Sequence, residues 1–161
     1  DAPSLDLPFE ASLQNLLLEL IQNEQINAAH DLSDGGLAVA LAEMSIFSGK
    51  GAVVRLDAKP SHAETIEQFY SEAQSGVIIT VPRSKDSSAS ANSSPASSPP
   101  PPSTSPTLIE RCEEAGIPII KIGTVEGSTL KINDHLNIPV TDLRQAWDRT
   151  IPDAMEAPVT A

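Results

Sequence analysis

Apolar residues recur at three- and four-residue spacing in Leu13, Leu16, Leu17, Leu20 and Ile21, which predicts an amphipathic helix over residues 12–25. Ile26 to His30 is short and apolar and reads as a buried strand. A polar turn, Asp31 to Gly36, separates it from Leu37 to Phe47, which is apolar at almost every position except Glu43 and Ser45. Such a run predicts a buried helix, closed by Ser48-Gly49-Lys50-Gly51. Ala52 to Leu56 then reads as a strand, and His62 to Tyr70 as a short helix with Ile66, Phe69 and Tyr70 on its inner side. The polar junction Ser71 to Gly76 runs into Val77-Ile78-Ile79-Thr80-Val81, the clearest strand signal in the chain.

Residues 84–106 are nearly all Ser, Pro, Ala and Thr and include Pro99 to Pro102. Without core-forming side chains this tract is expected to be disordered with polyproline character. It reads as a solvated surface insertion rather than a ligand for an aromatic groove. Periodicity resumes with a helix over Leu108 to Ala115, stopped by Gly116. Pro118 to Ile122 reads as a strand leading into Gly123-Thr124-Val125. Gly127 marks a turn and Leu130 to Ile132 a strand, so a hairpin is expected there. Ile138 to Val140 is extended. Thr141 caps a helix carrying Leu143, Ala146 and Trp147, and Pro152 ends it. This order predicts an α+β fold, a mixed sheet flanked by helices.

Composition narrows the function. A net charge of −12 argues against nucleic acid and anionic membranes as partners. It leaves nucleotides open, because a bridging cation reverses the local sign. Cys112 is the single cysteine, so there is no internal disulfide and no cysteine-based zinc site; it reads as a structural thiol. No apolar run is long enough to span a bilayer, and the expected location is cytoplasmic. The chain begins at Asp1 rather than Met and reads as a piece of a longer protein.

The stretch Ala29-His30-Asp31-Leu32-Ser33-Asp34-Gly35-Gly36-Leu37 carries the strongest chemical signal. It sets two carboxylates, a hydroxyl and two glycines at a helix start. Amides there favour anions, and carboxylates can hold a divalent cation. The same residues also suit a tight turn and a capped helix, with Asp34 as N-cap, for purely local reasons. Both readings stand on the residues alone. His30 has no companion His or Cys cluster and reads as a half-buried structural histidine.

Residues 29–44, AHDLSDGGLAVALAEM, resemble the C-terminal domain of the phosphoribosylformylglycinamidine synthase family, the formylglycinamide ribonucleotide amidotransferases, within the aminoimidazole ribonucleotide synthetase superfamily. FYSEAQSGVIITV, KIGTVEGSTLKI and VTDLRQAWDRTIPDAM match in the same order. The resemblance implies an ATP-dependent carbon–nitrogen ligase of purine biosynthesis. ATP phosphorylates the amide oxygen of formylglycinamide ribonucleotide, and ammonia derived from glutamine displaces the phosphate to give the amidine. It implies Mg²⁺ and ATP or ADP as cofactors, with Asp31 matching a metal-binding position and Ser33 a nucleotide-binding one. Ser71-Glu72-Ala73-Gln74-Ser75 is similar to a Ser-Glu-Ser-Gln motif that helps bind the ribonucleotide substrate, which makes Glu72 and Gln74 candidate contacts. The chain departs from that pattern at Ala73, where Ser is usual, and at Gly76, where Arg is usual. Implied partners are upstream synthetase domains of the same protein and a glutaminase domain or subunit. The implied organisation is a lead-in over residues 1–9, one domain over 10–83 and 107–156, the insertion 84–106 and a tail 157–161. A fragment of this kind is expected to be inactive alone. A non-catalytic structural domain of that enzyme, or the matching domain of a sister ATP enzyme such as aminoimidazole ribonucleotide synthetase or selenophosphate synthetase, is the alternative.

Overall fold

Asp6 opens the first helix: its side chain accepts the Phe9 amide at 3.0 Å, and Pro8 sits in the first turn, where a missing N–H costs nothing. The computed structural model describes residues 6–56, 69–72, 74–82 and 107–156. The lead-in before Asp6, most of the helix expected over His62–Tyr70, Ala73, the Ser/Pro-rich tract and the tail after Glu156 lie outside the described residues. The elements in chain order are α1 (Leu7–Gln22), β1 (Ala28–Asp31), α2 (Gly36–Ser48), β2 (Ala52–Val54), β3 (Val77–Thr80), α3 (Leu108–Glu114), β4 (Gly123–Val125), β5 (Thr129–Ile132), β6 (Leu136–Pro139) and α4 (Val140–Glu156). β1 pairs with β3, and the other strands form a four-stranded sheet in the order β4-β2-β5-β6.

The chain divides into two compact units. The first holds Asp1–Ala29 and Ile79–Ile120. Leu13, Leu16 and Leu20 form the buried stripe of α1, and Ile26, Cys112 and Ile117 are also buried. Arg111 pairs with Glu19 at 2.7 Å and also donates to the Gln25 side chain. Burial pushes the Cys112 thiol up, with the neighbouring Arg111 charge opposing, so Cys112 is held as a neutral thiol. α3 starts with a capping box. Thr107 Oγ1 accepts the Glu110 amide, and Glu110 Oε2 accepts the Thr107 amide at 2.6 Å. These hydrogen bonds hold the Glu110 carboxyl below its ordinary range. The benefit from Glu110 is therefore present above the usual carboxylate range and is lost as pH falls through its lowered value. Thr107→Ala is expected to cost about 1 kcal/mol in urea denaturation. A Thr107→Ser variant that loses as much would show that the hydroxyl is not the source.

The second unit holds His30–Ile78 and Lys121–Ala161. β2 runs antiparallel to β4 and parallel to β5, and β5 runs antiparallel to β6, so the sheet is mixed as the sequence predicts. β5 alternates cleanly, with Leu130 and Ile132 buried and Lys131 exposed. Its buried side joins Val54, Ala38, Ala40, Leu41, Phe69 and Ile78 in one core. α2 packs on β5 and α4, and α4 also contacts β6. Arg144 donates to the Ile46 carbonyl, and the Phe47 and Trp147 rings meet edge to face at 5.9 Å.

Several local expectations are corrected. α1 begins at Leu7 rather than Ser12, so Leu7 to Phe9 belong to the helix rather than to the lead-in. The helical signal before Leu13 is a cap and a proline, not an apolar stripe. β1 is mostly exposed rather than buried; among the described residues it pairs with β3 alone. Residues 118–122 form no strand. β4 and β5 do not form a hairpin, since β2 lies between them. α4 begins at Val140, one residue before the expected Thr141 cap, and continues through Pro152. Pro152 has no N–H to donate to the Asp148 carbonyl, and both residues lie on an exposed stretch of α4.

Candidate functional site

β1 delivers Asp31 at its end, and the chain turns at once. Ser33 O accepts the Gly36 amide at 2.9 Å, closing a tight loop over residues 33–36. Gly35 and Gly36 both take the left-handed conformation, with φ of 82° and 60°. Two such residues in succession suit glycine and almost nothing else. They also explain why the N-cap of α2 is Gly35 and not Asp34: Gly35 is itself left-handed, and the helix starts at the next residue, Gly36. The Gly35 side offers no capping group, and the capping is done from elsewhere in the chain.

That group is Glu72. Its Oε1 accepts the Gly35 amide at 3.0 Å across 37 positions of sequence. Two further contacts bind the same segments together. Leu32 N–H donates to Gly76 O at 2.9 Å, and a Cβ on Gly36 would stand 2.7 Å from Ser71 O, 2.9 Å from Tyr70 C and 3.0 Å from Phe69 O. The Asp31–Gly36 turn is thus seated on the Phe69–Gly76 segment. The two motifs singled out from the sequence form one place.

At this place Ser33, Asp34, Glu72 and Gln74 are exposed, and the Asp31 side chain is 75% accessible. Ala73 lies outside the described residues. His30 is half-buried and engaged at both ring nitrogens: Nε2 lies 2.9 Å from Glu43 Oε2, and Nδ1 lies 2.7 Å from the Asp31 carbonyl. This is the structural role expected of it. Gly76, where the resembled family has Arg, sits against Leu32, whose Cδ1 is 2.7 Å from the Cβ position; a longer residue there has to displace that side chain.

Electrostatically the place is one-sided. Residues 29–48 and 69–82 contain Asp31, Asp34, Glu43 and Glu72 but no Lys or Arg. A phosphate approaching these segments therefore meets carboxylates and needs a cation alongside it. Among the described residues no group of three or more His, Cys, Asp or Glu is placed to hold a metal as a closed cage. Mg²⁺ does not require one, since it keeps several waters and takes one or two carboxylates plus phosphate oxygens. Asp31 fits that part. The Glu72–Gly35 bond was not foreseen from sequence. The available signal was the need of two consecutive glycines for a cap from outside their own segment.

Comparison with known proteins settles the family. The family model described as "AIR synthase related protein, C-terminal domain" matches residues 3–93, more than half of the chain. The chain belongs to this family. This AIR synthase related C-terminal domain is 30% identical over 150 residues to the phosphoribosylformylglycinamidine synthase subunit PurL of Streptomyces coelicolor, covering 93% of the chain and 17% of that protein. It is 33% identical over 159 residues to the corresponding subunit of Brucella ovis, covering 99% of the chain and 18% of that protein. The domain therefore spans under a fifth of the length of these curated relatives. Its fold is similar to that of T. maritima PurL complexed with ADP, with a TM-score of 0.60 at 21% identity, covering 89% of the domain and 23% of that chain.

Proposed function

We propose that this AIR synthase related C-terminal domain is the closing part of an ATP-dependent ligase that turns formylglycinamide ribonucleotide and glutamine-derived ammonia into formylglycinamidine ribonucleotide in purine biosynthesis. The seating of the Asp31–Gly36 turn on the Phe69–Gly76 segment carries this reading, because it brings a metal candidate, a nucleotide candidate and a ribonucleotide candidate to one place. The named relatives support it.

In this reading Asp31 holds Mg²⁺, and Ser33 bonds the nucleotide through its hydroxyl. Mg²⁺ would supply positive charge beside two segments, residues 29–48 and 69–82, that carry no Lys or Arg. Gln74 contacts the ribonucleotide, whereas the Glu72 carboxylate is already bonded to the Gly35 amide. No covalent nucleophile is needed. The amide oxygen takes the γ-phosphoryl group of ATP, ADP leaves, and ammonia then attacks the amide carbon and expels phosphate. This chain supplies one wall of such a site; upstream synthetase domains and a glutaminase domain or subunit supply the rest and the ammonia. Residues 10–83 and 107–156 then form one synthetase-type domain, with 84–106 as a surface insertion. No helix among the described residues is long and apolar enough to cross a membrane, and the cytoplasm is the proposed location.

The test is Mg-ADP binding by calorimetry to the chain and to its full-length parent. Asp31→Asn is expected to weaken binding about tenfold, through a lost metal ligand, and Ser33→Ala about fivefold, through one hydrogen bond. Normal nucleotide affinity in both variants would overturn the assignment and leave the turn as a structural cap. The chain alone is expected to form no amidine; turnover by it would sink the proposed division of labour.

A further inference from the structure

We propose that Glu72 is a positioning residue for the nucleotide wall and not a ribonucleotide contact. The inference rests on the nucleotide-site reading. Its carboxylate accepts the Gly35 amide at 3.0 Å, and that amide belongs to the N-cap of α2. Gly35 offers no side chain to cap the helix. Glu72 supplies what the turn cannot supply for itself. The bond fixes the middle of a loop that carries two consecutive glycines, the residues with the most freedom to lose on ordering. Asp31 and Ser33 stand immediately before that loop, one at the end of β1 and one at the turn carbonyl that receives the Gly36 amide. Holding Gly35 therefore holds the direction in which both side chains leave the backbone.

Three contacts share this task, and they are different in kind. The Leu32–Gly76 bond joins backbone to backbone, and the close approach of Gly36 to Phe69–Ser71 is steric. Of these three, the Glu72 bond is the one made by a side chain, so a single substitution removes it without rebuilding the backbone. The carboxylate also points at an amide where an anion would otherwise be favoured. A phosphate group entering this wall finds the Gly35 amide occupied and is left to Ser33 and to the cation at Asp31.

Two variants separate positioning from contact. Glu72→Gln keeps an oxygen that accepts the Gly35 amide, and Glu72→Ala removes it. Amide hydrogen exchange is measured at Gly35 in the full chain without ligand, and Mg-ADP and formylglycinamide ribonucleotide affinities are measured in the full-length protein. Positioning predicts that Glu72→Ala raises Gly35 exchange about fivefold and weakens Mg-ADP by a similar factor, while Glu72→Gln stays within about twofold of the parent in both. Unchanged Gly35 exchange in Glu72→Ala overturns the proposal. So does a loss confined to the ribonucleotide, or a Glu72→Gln variant as impaired as Glu72→Ala, since each makes the charge a ligand contact. If the parent binds no Mg-ADP, the ligase reading fails, and Gly35 exchange still decides the role of Glu72.

Discussion

Gly36→Ala is expected to destabilise the protein by about 3–5 kcal/mol, among the largest effects of any single methyl group in this chain. Two costs add. The first is the left-handed backbone at φ 60°, worth about 1–2 kcal/mol for a residue with a Cβ. The second is contact with backbone: the new Cβ would lie 2.7 Å from Ser71 O, 2.9 Å from Tyr70 C and 3.0 Å from Phe69 O. Backbone cannot rotate aside as a side chain can, so either the turn or the Phe69–Ser71 segment has to move. Gly116→Ala separates the two costs. Gly116 has φ 68° but nothing within 4 Å of its Cβ position, so it should lose only the conformational part, about 1 kcal/mol. Urea denaturation of both variants, followed by the emission of the single tryptophan, Trp147, gives the difference directly. Equal losses would mean that the Phe69–Ser71 segment yields at no cost and that the turn is not firmly seated on it.

What the sequence made legible was local. The apolar run of α2, the strand at Leu130 to Ile132 and the start of α3 at Leu108 are written in consecutive residues, and each stands in the structure. The loop after β4 shows where this stops. A turn at Gly127 between two apolar segments suggests a hairpin, yet Glu126 N–H donates to Gly51 O at 3.0 Å and Gly51 N–H donates to Gly127 O at 2.8 Å. The loop is held by the start of β2, and β2 enters between β4 and β5. That outcome depends on a competitor some seventy positions away, which no window of sequence displays. The candidate site divides in the same way. Asp31, Ser33 and the two glycines were legible because a turn needs them side by side. The cap from Glu72 was not, and local capping rules gave Asp34 instead. Those rules assume a helix that begins directly after the cap, and two left-handed glycines remove that premise.

Ile132→Ala should be the other severe substitution, at about 3–5 kcal/mol. Ile132 is fully buried and sits on β5, a central strand of the four-stranded sheet. It is in register with Val54 on the parallel side and with Leu136 on the antiparallel side. Removing its side chain beyond Cβ leaves a void bordered by strands on both sides. Hydrogen bonds fix those strands at a set spacing, so the site cannot collapse to fill it. Lys131→Ala is the matched control: the same strand, one residue away, on the exposed face, with an expected change within about 0.5 kcal/mol. Ile132→Val keeps most of the volume and should cost about 1 kcal/mol. A graded series of this kind, read from urea midpoints at constant slope, identifies the loss as packing rather than as a change in unfolding cooperativity. If Lys131→Ala proved the more damaging of the two, the inward face of β5 would be the wrong one. The register with β2 would then be off by one residue, which exchanges the two faces of the whole strand. The same error would misplace Val54 and Leu136, so one comparison on β5 tests the pairing of three strands at once.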